Sequence, residues 1–113
     1  LVARFGQEGA LVGRSGYSCV GAVVGATWPD EARRLREVMP QQIFLVPGYG
    51  AQGATAKDCA ASFKEDGTGA IVNASRSVIF AYREDKYNGM DWLEAVRRAA
   101  IAFAEDIRKA VVP

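Results

Sequence analysis

Residues 44–55 read FLVPGYGAQGAT. With Ile43 before it, the apolar run IFLV (43–46) is short and stops at Pro47, so it reads as a strand ended by a residue that has no N–H for a sheet ladder. Glycines follow at 48, 50 and 53. They open backbone conformations closed to other residues and allow close approach to a ligand. Thr55, with Asp58 three residues on, opens a helix whose inner stripe would be Ala56, Cys59, Ala60 and Phe63. The stretch is therefore one βα unit joined by a glycine-rich loop.

The same order recurs on both sides. Upstream, CVGAVVGAT (19–27) is a run of small and β-branched residues without alternation, the pattern of a strand covered on both faces, as in parallel sheets. PDEARRLREVM (29–39) then reads as a helix, with Pro29 in its first turn, Asp30 and Glu31 at its positive end, and Ala32, Leu35, Val38 and Met39 as one apolar stripe. Downstream, the turn EDGTG (65–69) leads into a third strand, AIVNA (70–74), and Arg76 starts a short helical turn. YREDKYNG (82–89) reads as a solvated loop. A last helix begins near Asp91, where Asp91 and Glu94 resemble a capping box and Trp92, Val96, Ala100, Phe103 and Ile107 mark the buried face. A short helix from Val2 to about Gln7 and the polar loop GRSGYS (13–18) precede the first strand.

Three strands, each followed by a helix, predict an α/β fold with a parallel sheet. It is either a small open sheet or about three βα units of an eight-unit barrel. A whole barrel takes about 250 residues, and the chain has 113, read as one unit over 1–113 with no second domain. Its opening, LVARFGQEGALVG, lacks an initiator Met and enters an apolar pattern at once, as a chain beginning inside a larger one would.

Composition is that of a globular unit, 50% hydrophobic and 24% charged. The formal charge of +1 arises from scattered residues, 14 basic and 13 acidic. Neither a nucleic acid nor a membrane is an expected partner. Cys19 and Cys59 are far apart in sequence and the chain has no histidine, so no metal site is expected, both thiols read as small packed side chains, and a reducing cytoplasm is the expected setting. No apolar run nears the roughly 18 residues of a membrane span, and no signal peptide is visible.

The chemistry concentrates at two strand ends. The 48–54 loop and the helix start at Thr55 offer unpaired amides and a positive dipole end to an anion, although a tight βα turn needs the same glycines. Arg76, at the end of the next strand, carries a planar fork of donors suited to phosphate oxygens; the alternative is a surface arginine paired with a carboxylate. In barrels, a phosphate site built from the last two βα loops is a recurrent arrangement. Gln52 would add an amide, Thr27 would line the same mouth or cap the helix after it, and Pro47 and Tyr49 would form the rim. Tyr49 and Tyr82 would stack on a base or cover the rim, while Trp28, Trp92 and Phe103 read as packing residues. No histidine base, Ser/His pair or Asp/Lys array accompanies them, so no residue is assigned a catalytic role.

Taken together, GAVVGATWPDEARRLRE (21–37), FLVPGYGAQG (44–53) and GAIVNASRSVIFAY (69–82), in this order and spacing, resemble the C-terminal part of orotidine 5′-monophosphate decarboxylase. The resemblance is closest to the longer bacterial branch of that family and runs from about Gly16 to the last helix. It implies the C-terminal portion of a (β/α)8 TIM barrel, its sixth to eighth strands. The implied activity is decarboxylation of orotidine monophosphate to uridine monophosphate, the last step of pyrimidine nucleotide synthesis. The implied parent is a cytoplasmic homodimer that uses no metal or cofactor. By the resemblance, Gln52 falls on the glutamine that closes over the ligand and contacts its phosphate, and Arg76 falls on the phosphate-binding arginine, with Ser75, Gly53 and neighbouring amides around it. The family's alternating Asp and Lys residues, including the lysine that protonates C6 of the pyrimidine, have no match here. Lys57, Lys64, Lys86 and Lys109 fall on helices or connecting loops, and Ala54 stands where a further glycine is expected. The chain would then be an inactive fragment that pairs with the missing N-terminal part of the barrel or with itself, since three parallel strands leave two open edges and a poorly covered face. Two alternatives remain at this stage: another phosphate-binding barrel enzyme, and a non-catalytic half-barrel.

Overall fold

The computed structural model describes residues 1–112. In chain order it contains α1 (Val2–Gly6), β1 (Ala22–Val23), α2 (Pro29–Val38), β2 (Phe44–Val46), α3 (Ala56–Ala60), β3 (Ala70–Val72), α4 (Arg76–Ile79) and α5 (Trp92–Val111). Short 3-10 turns lie at Gly9–Leu11, Ala81–Arg83 and Asp85–Tyr87. The three strands form one parallel sheet in the order β1-β2-β3, with Val23, Leu45 and Ile71 in register across it. The predicted α/β architecture is present.

β1 is shorter than its apolar run. Its ladder nevertheless continues beyond the strand, through Val24 N–H to Leu45 O and Ala26 N–H to Pro47 O, both 2.9 Å. Gly21 is needed at its start, because a Cβ there would lie 2.6 Å from the Ile43 carbonyl oxygen.

The expectation of a sheet covered on both faces does not hold. Phe44 and Val46 are fully buried on the helix-covered side, whereas Val23, Leu45 and Ile71 are 70%, 44% and 60% exposed. Side chains alternate between faces along a strand, and the helices of this chain pack on one face only. The poorly covered face inferred from sequence is thus a row of bare aliphatic side chains. With a radius of gyration of 15.9 Å, the chain is more extended than the roughly 13 Å typical of a compact 100-residue domain.

The main core gathers Val24, Ala26, Ala32, Met39, Phe44, Val46, Ala54 and Cys59 between sheet and helices. In α2, Pro29 and the two acidic residues stand in the first turn as expected. Its buried face differs: Ala32 and Met39 are inside, Leu35 and Val38 are exposed, and Arg36 is buried. The Arg36 guanidinium donates to the carbonyls of Ser62, Met39, Gln42 and Gly69 at 2.7–2.9 Å and lies 3.6 Å from the Phe44 ring centre. Those carbonyls come from segments that lead into β2 and β3, so one side chain ties the entry ends of two strands to α2. α3 begins with the capping box: Thr55 accepts from the Asp58 amide and the Asp58 carboxylate accepts from the Thr55 amide.

The 82–89 stretch is largely exposed, as expected of a solvated loop, but it is wound into 3-10 turns and anchored at Tyr87. Its turns bury Ala81 and Tyr87 against Ala95 and Ala99 of α5. Of the expected α5 stripe, Val96, Phe103 and Ile107 lie on the half-buried side, Ile107 against the main core and Phe103 against Tyr49, whereas Trp92 and Ala100 are exposed and Ala95 and Ala99 are buried in their place. Two small alanines one turn apart let the 81–87 backbone come close, which a row of larger side chains would prevent. Asp91 caps α5 by accepting from the Leu93 amide, but Glu94 completes no capping box and pairs with Arg98 and Arg97 instead. Trp28 and Trp92, read as packing residues, are 68% and 57% exposed. Cys59 is packed as expected, whereas Cys19 is exposed. Among the described residues no helix is long and apolar enough to cross a membrane, and no group of residues could hold a metal ion.

Candidate functional site

Parallel strands bring their exit loops to the same end of the sheet, and β2 and β3 are neighbours. The loop after β2 is closed by three backbone hydrogen bonds: Gly50 N–H to Ala54 O, Gly53 N–H to Gly50 O, and Ala54 N–H to Gly48 O. Gly48, Gly50 and Gly53 have φ of +115°, +70° and +92°, a region that only glycine occupies cheaply. The loop has no other residue with positive φ. Ala54 is buried and needs no glycine geometry, so its difference from the expected pattern leaves the loop intact.

The loop faces the turn after β3. Together they line a small pocket of about 70 Å³ formed by Pro47, Gly48, Tyr49, Ala51, Gln52, Asn73, Ala74, Ser75 and Arg76. Of the residues singled out in the sequence, Gln52, Ser75, Arg76, Pro47 and Tyr49 meet in this pocket. Gly53 shapes the loop without lining it, and Thr27 stands beside it: a Cβ on Gly48 would lie 3.6 Å from Thr27 Cγ2 and from Gln52 Oε1. The cap position of α2 falls on Trp28, without a side-chain cap bond, so Thr27 does not serve that helix. Asn73 also lines the pocket; its place at the strand exit, one turn of chain before Arg76, was the signal for it.

Ser75 is the N-cap of α4 and Arg76 its first residue, both exposed. Among the described residues Arg76 forms no ion pair, unlike Arg33, Arg97 and Arg98. The amides of Gln52, Ser75 and Arg76 likewise have no backbone acceptor among the described residues. The pocket is therefore lined by residues that carry one unpaired guanidinium, two side-chain amides, the Ser75 hydroxyl and free backbone N–H groups, and no carboxylate lines it. Such a donor set suits an anion with several oxygens.

Tyr49 engages the last helix from the same loop. Its ring centre lies 4.8 Å from that of Phe103 and its hydroxyl donates to Asp106 Oδ2 at 2.7 Å. Burial first, and then the Asp106 hydrogen bond, push its phenol up to about 12. Burial also raises the Cys59 thiol to about 11, which makes it an unreactive packing group. Of the four lysines, Lys86 pairs with Glu84 at 3.1 Å and Lys64 lies over the Tyr17 ring, and none lines the pocket.

The orotidine 5′-phosphate decarboxylase of Rhodopirellula baltica is 44% identical over 97 residues, which cover 82% of this chain and 32% of that protein. The one from Deinococcus radiodurans is 44% identical over 110 residues, 97% of this chain and 38% of its own length. The solved OMP decarboxylase of Leishmania donovani superimposes with a TM-score of 0.61 at 34% identity, over 80% of this chain and 31% of that one. This chain belongs to the orotidine 5′-phosphate decarboxylase family. No general family model matches it. It spans about a third of the length of the curated relatives it matches.

Proposed function

We propose that this chain supplies the substrate-phosphate grip of an orotidine 5′-monophosphate decarboxylase. In this reading β1, β2 and β3 are the sixth to eighth strands of a (β/α)8 barrel, and the bare face with Val23, Leu45 and Ile71 is part of the barrel interior. The observation that carries the reading is the pocket in which Gln52 and an unpaired Arg76 converge from two adjacent strand exits. The extended shape and the open sheet face favour a part of a barrel over a self-contained domain.

The reaction breaks the bond between C6 of the pyrimidine and its carboxylate. Carbon dioxide leaves, the electron pair stays on C6, and a proton from a donor replaces the carboxylate. No lysine lines the pocket of this chain, so in this reading catalysis falls to the part of the barrel outside this chain and the isolated chain is inactive. What this chain contributes is affinity for the remote phosphate. In the whole enzyme that binding free energy holds the pyrimidine against the reacting groups and lowers the barrier rather than merely retaining substrate. The parent is a soluble cytoplasmic enzyme that needs no metal or cofactor, and the isolated piece associates with the N-terminal part of the barrel or with itself.

A turnover assay tests the proposal. The full-length parent converts orotidine monophosphate to uridine monophosphate, whereas this chain alone does not. Turnover of a different sugar phosphate by the parent, without decarboxylation, would overturn it.

A further inference from the structure

Tyr49 lies between Gly48 and Gly50, both with positive φ, in a stretch whose backbone has little intrinsic reason to keep one conformation. Its side chain is fixed at two points on one face of α5. The ring packs on Phe103, and the hydroxyl reaches Asp106, three residues further along the helix. Tyr49 and Asp106 also border two open volumes, one of about 390 Å³ beside the 84–87 turn and one of about 560 Å³ beside the start of α3. The tie thus stands as a post between two gaps. The same loop carries Gln52 into the pocket opposite Arg76.

We propose that Tyr49 is a positioning residue for phosphate recognition: its hydrogen bond to Asp106 seats the 48–53 loop on α5, so that Gln52 and the loop amides face Arg76. The inference rests on the reading of that pocket as the phosphate site. A phenol raised to about 12 remains a donor throughout the neutral range. The geometry makes α5, which lines none of the phosphate pocket, a determinant of phosphate affinity.

The test uses the full-length decarboxylase that carries this segment, with uridine monophosphate and uridine as competing inhibitors. Tyr49→Phe keeps the ring on Phe103 and removes only the donor. Inhibition by uridine monophosphate then weakens about three- to tenfold and kcat/KM falls in step, the range expected for one hydrogen bond, while inhibition by uridine stays within about twofold. Asp106→Leu reproduces the effect, and Asp106→Asn, which retains an acceptor oxygen, stays within about twofold of the unsubstituted enzyme. A merely structural contact would weaken both inhibitors alike, and that result overturns the proposal. Unchanged inhibition by uridine monophosphate in an active Tyr49→Phe enzyme also overturns it, and leaves the phosphate reading standing. An unsubstituted enzyme that neither decarboxylates nor binds uridine monophosphate removes both.

Discussion

Two arginines at opposite ends of the sheet are used in opposite ways. Arg36, near the strand entries, is buried and gives its donors to four backbone carbonyls. Arg76, at the strand exits, is exposed and without an ion-pair partner among the described residues. Burial lowers the pKa of Arg36 from its usual value, yet no proton is lost there in any ordinary range because guanidinium is so basic. A charge removed from water persists only where hydrogen bonds replace its hydration. A charge left in water is available to a ligand. The same residue type therefore marks a structural end and the proposed binding end of one sheet.

The comparison breaks most visibly at the structural end. Arg36→Leu strands carbonyls in the interior and is expected to lower unfolding free energy by more than about 3 kcal/mol, read from the denaturation midpoint, with Arg36→Lys recovering part of the loss. A loss under about 1 kcal/mol would mean that those carbonyls find water instead. At the binding end the signature inverts. In the full-length enzyme Arg76→Ala is expected to lower kcat/KM about ten- to a hundredfold, while stability stays within about 0.5 kcal/mol. An unchanged kcat/KM would remove Arg76 from the site.

Smaller effects sharpen the division. Thr55 stands at the binding end but its side chain serves the cap of α3, so Thr55→Ala should cost about 1 kcal/mol of stability and leave affinity for uridine monophosphate unaltered. A selective loss of affinity would move Thr55 into the pocket's machinery. The Tyr49 phenol gives the smallest effect. Its folded pKa of about 12 lies above the ordinary value of 10.0, so the folded state holds the proton more tightly. Its contribution is complete below pH 10 and fades as pH rises toward 12. Tyr49→Phe should flatten that part of the stability profile, and an identical alkaline profile would contradict the assignment.

The sequence was legible where the physics is local. The order of strands and helices, the capping box at Thr55 and Asp58, and the glycines that turn the 48–53 loop all follow from short-range preferences. The meeting of Gln52 and Arg76 followed from one further rule, that parallel neighbours share an exit end. What was hidden depends on distant partners. Arg36 looked like one more charged residue on a helix, because its acceptors come from segments as remote as Gly69. Tyr49 could be placed at a rim, but its tie to Asp106 spans 57 residues and leaves no local pattern. The buried face of α5 was read in part, at Val96, Phe103 and Ile107, and missed at Trp92 and Ala100 for a similar reason. Two apolar rows overlap on that helix, and the close approach of Ala81 and Tyr87 selects the Ala95 and Ala99 row.

The most direct test of the central claim is a titration of this chain, labelled for amide NMR, with uridine monophosphate and in parallel with uridine. The account predicts saturable shifts for uridine monophosphate confined to residues 48–53 and 73–77, lost in Arg76→Ala, and none of them with uridine. Equal responses to both compounds, or shifts centred elsewhere on the sheet, would contradict it.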